Sequence, residues 1–125
     1  MRSSRSKPAV AFLLFELGLY GCGAAPNSAA VRLESEIRQG KRVLAVVPAA
    51  GFRINAHAPP ALELSNGEII RLAAGRVLPD SSYFVEPPWA ARPAGVRLRG
   101  VLRVSFCRVD EQLCRAAALP IDLHD

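Results

Sequence analysis

Two cysteines near the end of the chain have the spacing of a thiol–disulfide pair. Six residues separate Cys107 from Cys114, and β-rich sequence lies on either side of them. A hairpin would bring two such cysteines to the Cα separation of roughly 5.5 Å that a disulfide needs. A pair of this kind either exchanges electrons with the thiols of a partner or serves as a structural cross-link. The residues alone leave both interpretations open.

An arginine follows each of these cysteines directly. A guanidinium close to a thiol favours the thiolate and lowers the pKa of that thiol, so Arg108 and Arg115 are candidates for tuning the pair. Asp110 and Glu111 in the connecting turn act in the opposite direction, or handle a proton. The alternative is a buried cross-link whose charged turn residues simply face solvent.

The third cysteine, Cys22, follows a short apolar segment. Three basic residues open the chain, and residues 8–20 are mostly apolar. This is the layout of a secretory signal, and it is too short for a transmembrane helix. Residues 19–22, Leu-Tyr-Gly-Cys, resemble the lipobox of bacterial lipoproteins, in which the cysteine receives a lipid and the chain is cut before it. The alternative is an ordinary signal peptide that is cut a little later.

The lipobox resemblance divides the chain into three parts. Residues 1–21 are the expected leader, residues 22–30 are a tether of small and polar residues, and residues 31–125 form one domain. The resemblance implies a lipid anchor on the periplasmic side of a bacterial envelope membrane, where disulfides persist. Gly23 follows the lipid cysteine, and in enteric bacteria the lack of aspartate there permits sorting to the outer membrane.

Composition excludes several classes of function. The chain has 16 basic and 11 acidic residues, and without the three basic and one acidic residue of the leader the net charge is +3. The arginines are scattered, without a basic run or interleaved aromatics, so no nucleic-acid partner is expected. No phosphate loop, hydrolase triad or metal-ligand spacing is recognisable, so we expect no cofactor and no metal.

The pattern along residues 31–125 is that of an all-β domain. Short β-rich runs alternate with turn signals, as in a β-sandwich. Residues 31–39 fit either a short helix or an opening strand, and residues 78–93 read as a long irregular segment. The predicted strands are 41–47, 51–56, 61–64, 68–72, 96–107 and 118–123, with Asn66-Gly67 as the hairpin signal between the third and fourth.

The strand over residues 96–107 has the clearest alternation. One face carries apolar residues, namely Val96, Leu98, Leu102, Val104 and Phe106. The other face carries polar ones, namely Arg97, Arg99, Arg103 and Ser105. Cys107 shares the parity of the arginines, so we expect its sulfur to point away from the main core.

Two segments carry a resemblance to a known family. Residues 51–60, Gly-Phe-Arg-Ile-Asn-Ala-His-Ala-Pro-Pro, resemble the Gly-Tyr-His-Ile-Asn-Ala-x-x-Pro segment in the amino-terminal periplasmic domain of the thiol:disulfide interchange protein DsbD. Residues 101–107, Val-Leu-Arg-Val-Ser-Phe-Cys, followed by Cys114 and Leu-Pro-Ile-Asp-Leu, resemble the cysteine hairpin that closes the same domain. The resemblance spans about residues 43–123.

This resemblance implies an immunoglobulin-like sandwich in which Cys107 and Cys114 are the exchanging pair. Such a domain receives electrons from a thioredoxin-like domain and passes them to other envelope redox proteins, and its second cysteine is attacked first. An aromatic cap loop guards the cysteines, and Tyr83 and Phe84 are the candidates by position. The usual histidine of the family falls at Arg53, so no role transfers to His57.

A second function remains open on the residues. The chain also fits a non-catalytic binding or assembly lipoprotein of the envelope, with Cys107–Cys114 as a structural disulfide. Trp89, with Pro87, Pro88 and Pro93 around it, would then offer a partner-binding surface.

Overall fold

The secondary structure of the described part of the chain consists of β-strands joined by turns and loops. A computed structural model describes residues 30–124, and within that range it has eight β-strands. The strands are β1 (Val31–Arg38), β2 (Lys41–Pro48), β3 (Phe52–Ile54), β4 (Ala61–Leu64), β5 (Ile69–Arg71), β6 (Trp89–Pro93), β7 (Leu98–Arg108) and β8 (Cys114–Leu123). They form an antiparallel β-sandwich, which confirms the predicted all-β, immunoglobulin-like class.

Two antiparallel sheets make up the sandwich. The first has the strand order β1-β2-β6. In the second, the long strand β7 pairs with β8 along one edge and with β3 and β4 along the other, while β5 pairs with β4. The central position of β7 brings two distant parts of the chain, β3 and β4, next to the cysteine hairpin.

The core lies between the two sheets and follows the alternation predicted for β7. Leu98, Leu102, Val104 and Phe106 are all buried, as expected for one face of a strand. They pack with buried residues of the other strands, namely Val31, Leu44, Val46, Ile54, Leu62, Leu64 and Ile70. The odd-numbered residues of β7, Cys107 among them, therefore belong to the outer face of this sheet.

The Asn66-Gly67 hairpin forms between β4 and β5 as predicted. Gly67 has a φ of 93°, which glycine adopts without a steric penalty, and its amide donates to the carbonyl of Leu64 at 2.9 Å. The amide of Glu68 donates to Oδ1 of Asn66, also at 2.9 Å. These bonds close the turn.

The structure decides one alternative that the sequence left open, and two element predictions need correction. Residues 31–38 are the strand β1 and not a helix, because they pair with β2 over eight positions. The segment predicted as irregular contains β6, which covers the other edge of β2. The final strand begins at Cys114 and not at residue 118, because the whole of β8 is matched residue by residue to β7.

The predicted leader, Cys22 and almost all of the predicted tether lie outside the described residues. The exception is Ala30, which belongs to the core, with 1% of its surface exposed. Its carbonyl accepts a hydrogen bond from the amide of Ala49 at 2.8 Å. Within residues 30–124 no helix has the length and hydrophobicity to cross a membrane.

Candidate functional site: the cysteine hairpin and its outer face

The two cysteines face each other at the end of the β7–β8 hairpin. They are direct cross-strand partners, with their Cα atoms 4.1 Å apart, and they form a disulfide. The hairpin register accounts for this, because ten consecutive pairs from Leu98 to Cys107 align β7 with β8. The predicted juxtaposition of Cys107 and Cys114 is confirmed.

The two halves of the disulfide differ in exposure. Only 1% of the surface of Cys107 is exposed, whereas Cys114 is an exposed residue. A thiolate arriving from solvent therefore reaches Cys114 before it reaches Cys107. This asymmetry separates the chemical roles that the two cysteines can take.

Cys107 lies on the outer face of its sheet and is nevertheless buried. Its side chain belongs to the outer face as predicted, because its neighbours in the strand, Phe106 and Arg108, belong to the opposite face. Its burial comes from the neighbouring strand, since β3 pairs with this end of β7 and Arg53 lies directly opposite Cys107. Direct cross-strand partners project from the same face. Arg53 thus flanks Cys107 on one side and Cys114 flanks it on the other.

The side chain of Arg53 is held in place by two contacts. Its guanidinium carbon lies 4.3 Å from the centre of the Tyr83 ring, and Nη2 donates to the carbonyl of Val109 at 3.2 Å. Another guanidinium nitrogen, Nε, is buried and has no hydrogen-bond partner. The residue directly opposite Cys107 on β3 therefore has a buried hydrogen-bond donor without an acceptor.

Tyr83 reaches this face because its segment runs alongside β3. It forms an antiparallel bridge with Asn55, and the amide of Ala56 donates to the carbonyl of Ser82 at 2.7 Å. Asn55 in turn donates through Nδ2 to Oγ of Ser105 at 3.2 Å. Across the outer face the order is Tyr83, Arg53, Cys107 and Cys114, which we call the disulfide row.

Only one of the two predicted cap residues belongs to the disulfide row. Tyr83 is part of it, whereas Phe84 packs against the buried core on the other side of the sheet. The reason is that consecutive residues of an extended segment point to opposite faces. The amide of Phe84 donates to the carbonyl of Ile54 at 3.1 Å, which keeps the segment extended there.

The two arginines predicted to tune the thiols do not lie in the disulfide row. Arg108 has the opposite parity to Cys107, and its Nε donates to Oδ1 of Asp110 at 3.2 Å. That hydrogen bond, together with the charge of the guanidinium, holds the pKa of Asp110 below its usual value. Arg115 is exposed and lies opposite Phe106, so it belongs to the face of the sheet opposite to that of Cys107 and Cys114. Strand alternation therefore separates both arginines from the neighbouring sulfur.

The histidines have other partners. Nε2 of His57 lies 3.2 Å from Oγ of Ser82, and its amide donates to Oδ1 of Asn55 at 2.9 Å. Nε2 of His124 lies 3.4 Å from a carboxylate oxygen of Asp122. Among residues 30–124, no three acidic, histidine or cysteine side chains are grouped as a metal site would require.

A groove of about 460 Å³ lies on the other sheet, away from the disulfide. It is lined by β1, β2 and the start of β6, and Trp89 forms part of its wall with 43% of its surface exposed. The acidic residues on its rim are neutralised locally, because Glu34 pairs with Arg32 and Glu36 with Arg38. The groove is the surface that a binding function would use.

Comparison of the chain with protein-family models, with curated proteins and with solved structures found no match.

Sequence reasoning did not select Arg53 as a residue of the site. The available signal was its position in the segment 51–60, where the resembled family carries a histidine. The register between β3 and β7 was needed to place it opposite Cys107.

Proposed function

We propose that this protein is a thiol–disulfide exchange module whose redox pair is Cys107–Cys114. The observation that carries the proposal is the unequal exposure of the two cysteines within one hairpin disulfide. An exchange reaction needs one sulfur open to attack and one that leaves, and this disulfide offers both. The resemblance of residues 51–60 and 101–123 to the amino-terminal domain of DsbD supports the same reaction.

In the proposed reaction a partner dithiol reduces the disulfide. A thiolate of the partner attacks Sγ of Cys114, the bond between the two sulfurs breaks, and Cys107 leaves with the electron pair as a thiolate. The second partner thiolate then attacks the partner sulfur of the mixed disulfide and releases Cys114. The partner ends as a disulfide, and its two electrons and two protons are on Cys107 and Cys114. The reverse sequence passes the electrons to the next protein.

The proposed partners are thioredoxin-like proteins of the bacterial envelope, and the proposed location is its periplasmic side with a lipid anchor at Cys22. Both follow from the two resemblances, and Cys22 lies outside the described residues. A labelled fatty acid should be incorporated by the whole chain expressed in bacteria and not by its Cys22→Ser variant. Equal labelling of the two would contradict the anchor.

The reduction potential of the Cys107–Cys114 pair tests the proposed reaction. The measurement uses the processed chain from residue 22 onward with Cys22→Ser, equilibrated in glutathione buffers. We expect a value well above about −300 mV, the range of labile and catalytic disulfides. A value below that, together with unfolding on reduction, would make the bridge a structural cross-link.

The Trp89 groove favours a second candidate, a binding or assembly module with a structural disulfide. Trp89 is the only tryptophan of the chain, so its fluorescence reports on that groove directly. The binding module is favoured if the potential is low and if a purified partner without tryptophan changes this fluorescence equally for the oxidised chain and for a Cys107→Ser/Cys114→Ser variant.

A further inference from the structure

We propose that Arg53 is a positioning residue for the exchange, which places positive charge beside the Cys107 sulfur as that sulfur leaves. This inference rests on the proposed function. It concerns the step in which the disulfide opens and the electron pair moves to Sγ of Cys107.

The need for such a residue follows from the burial of Cys107. With 1% of its surface exposed, this residue has almost no access to water. A thiolate that forms there loses most of its hydration, and a buried charge without a partner is strongly unfavourable. Attack at Cys114 therefore requires a counter-charge on the side of Cys107.

Arg53 meets this requirement in position and in hydrogen bonding. Direct cross-strand partners have Cβ atoms about 4.5–5.5 Å apart, and Arg53 is the partner of Cys107 on β3. The Tyr83 ring and the Val109 carbonyl hold the guanidinium, so little side-chain freedom is lost when charge develops beside it. The buried Nε–H has no partner in the disulfide state and is free to donate to a sulfur that becomes negative.

The other arginines near the hairpin are engaged elsewhere or lie on the other face. Arg108 interacts with Asp110 and Glu111 in the turn, at 3.2 and 3.5 Å. Arg103 shares the outer face of β7, but its Nε is 3.0 Å from a carboxylate oxygen of Glu63. Arg115 follows Cys114 directly in β8 and therefore belongs to the opposite face of the sheet. Among the described residues, Arg53 is thus the arginine in register with the buried sulfur.

The test compares how fast dithiothreitol reduces the disulfide in four proteins. Each is the processed chain with Cys22→Ser, and three carry in addition Arg53→Gln, Arg53→Lys or Arg103→Gln. The last is a matched control, because it removes the same charge from the same face of the same sheet. A leaving thiolate of lower pKa leaves faster, and one nearby cation shifts such a pKa by about one unit or more. Only about half of such a pKa change appears in the rate, so a shift of about two units, within the range that a neighbouring arginine produces, would slow reduction of Arg53→Gln about tenfold.

Rescue by lysine separates a charge effect from a merely structural one. Arg53→Lys is expected to keep the rate within about threefold of the parent, and Arg103→Gln to leave it unchanged. If Arg53 only covered Cys107, its removal would expose the sulfur and speed up reduction. The inference is overturned if reduction of Arg53→Gln is faster than or equal to that of the parent. It is also overturned if Arg53→Lys slows reduction as much as Arg53→Gln does, or if Arg103→Gln does so.

Two further measurements keep the test decisive. Circular dichroism of the oxidised variants checks their fold, and if Arg53→Gln does not fold, Tyr83→Leu replaces it. Tyr83→Leu leaves the charge in place but frees the guanidinium, and we expect it to slow reduction by a smaller factor. An unchanged rate would count against the role of Arg53. The parent potential tests the proposed function separately, since a parent value below about −300 mV refutes that function whatever the variants do.

Discussion

At the residue scale, the unequal surroundings of Cys107 and Cys114 are the property with the clearest chemical consequence. One cysteine is covered by its strand neighbours and the other is open to solvent. Arg53 and Tyr83 lie on the covered side. The same hairpin therefore contains a sulfur suited to attack and a sulfur suited to leave.

This asymmetry predicts different alkylation rates in the reduced protein. With Cys22→Ser in place, iodoacetamide should modify Cys114 at least about tenfold faster than Cys107, because exposure governs access to the thiolate. Mass spectrometry of peptides after short reaction times gives both rates. The single variants Cys107→Ser and Cys114→Ser serve as controls for each site. Equal rates for the two thiols would contradict the attack order that we propose.

At the element scale, the β7–β8 hairpin is tied together at both ends. The disulfide closes the turn end, and at the open end Arg97 donates to both carboxylate oxygens of Asp122, at 2.9 and 2.7 Å. Between these two points β7 and β8 pair over ten residues. The hairpin therefore offers a firm support on which the proposed exchange would open and close the disulfide without loss of the strand pairing.

The Arg97–Asp122 pair predicts a small pH dependence of stability. The hydrogen bond from Arg97 lowers the pKa of Asp122 from its usual value, so the pair adds stability above the ordinary carboxyl pKa. That contribution is lost as the pH falls through the lowered pKa of the folded state. Thermal melts should show Asp122→Asn less stable than the parent near neutrality, with the difference shrinking in acid.

The effect of Asp122→Asn is expected to be small, because both partners are exposed. Asp80→Asn is a suitable control, since Asp80 is also an exposed aspartate and lies outside the strands. A difference between Asp122→Asn and the parent that stays constant from neutral to acid pH would contradict this role for the pair.

At the scale of the whole molecule, the disulfide and the core occupy different sides of one sheet. The buried residues fill the space between the sheets, whereas the disulfide row lies on the outer face. We therefore expect the core contacts to stay in place when the disulfide opens. This separation is what a redox module needs if it is to stay folded in both states.

Reduction is accordingly expected to destabilise the protein without unfolding it. The disulfide joins residues seven apart, so its loss should lower the free energy of unfolding by about 2–3 kcal/mol. Urea denaturation of the oxidised and reduced protein measures the difference. Leu102→Ala is a control for the core, since Leu102 is fully buried and its truncation should cost about 2–5 kcal/mol. Unfolding on reduction alone would favour the structural cross-link.

The pattern along the chain was sufficient to predict the fold class, most strands and the cysteine hairpin. Alternation between Leu98 and Phe106 determines which face of β7 is buried, because side chains of a strand alternate with a period of two. Asn66-Gly67 determines a turn, because its backbone preference is local. The spacing of Cys107 and Cys114 is likewise a local property. Each of these features depends on residues that are close in sequence.

Only the tertiary structure decided what surrounds the disulfide. The pairing of Arg53 with Cys107 joins residues more than fifty positions apart, and the contact between Arg53 and Tyr83 joins a strand to a loop. Such contacts depend on register between distant strands, which the packing of the whole sandwich sets. The same packing explains why β6 forms in a segment whose sequence reads as irregular. It also explains why β8 extends through alanines, which by themselves do not favour a strand.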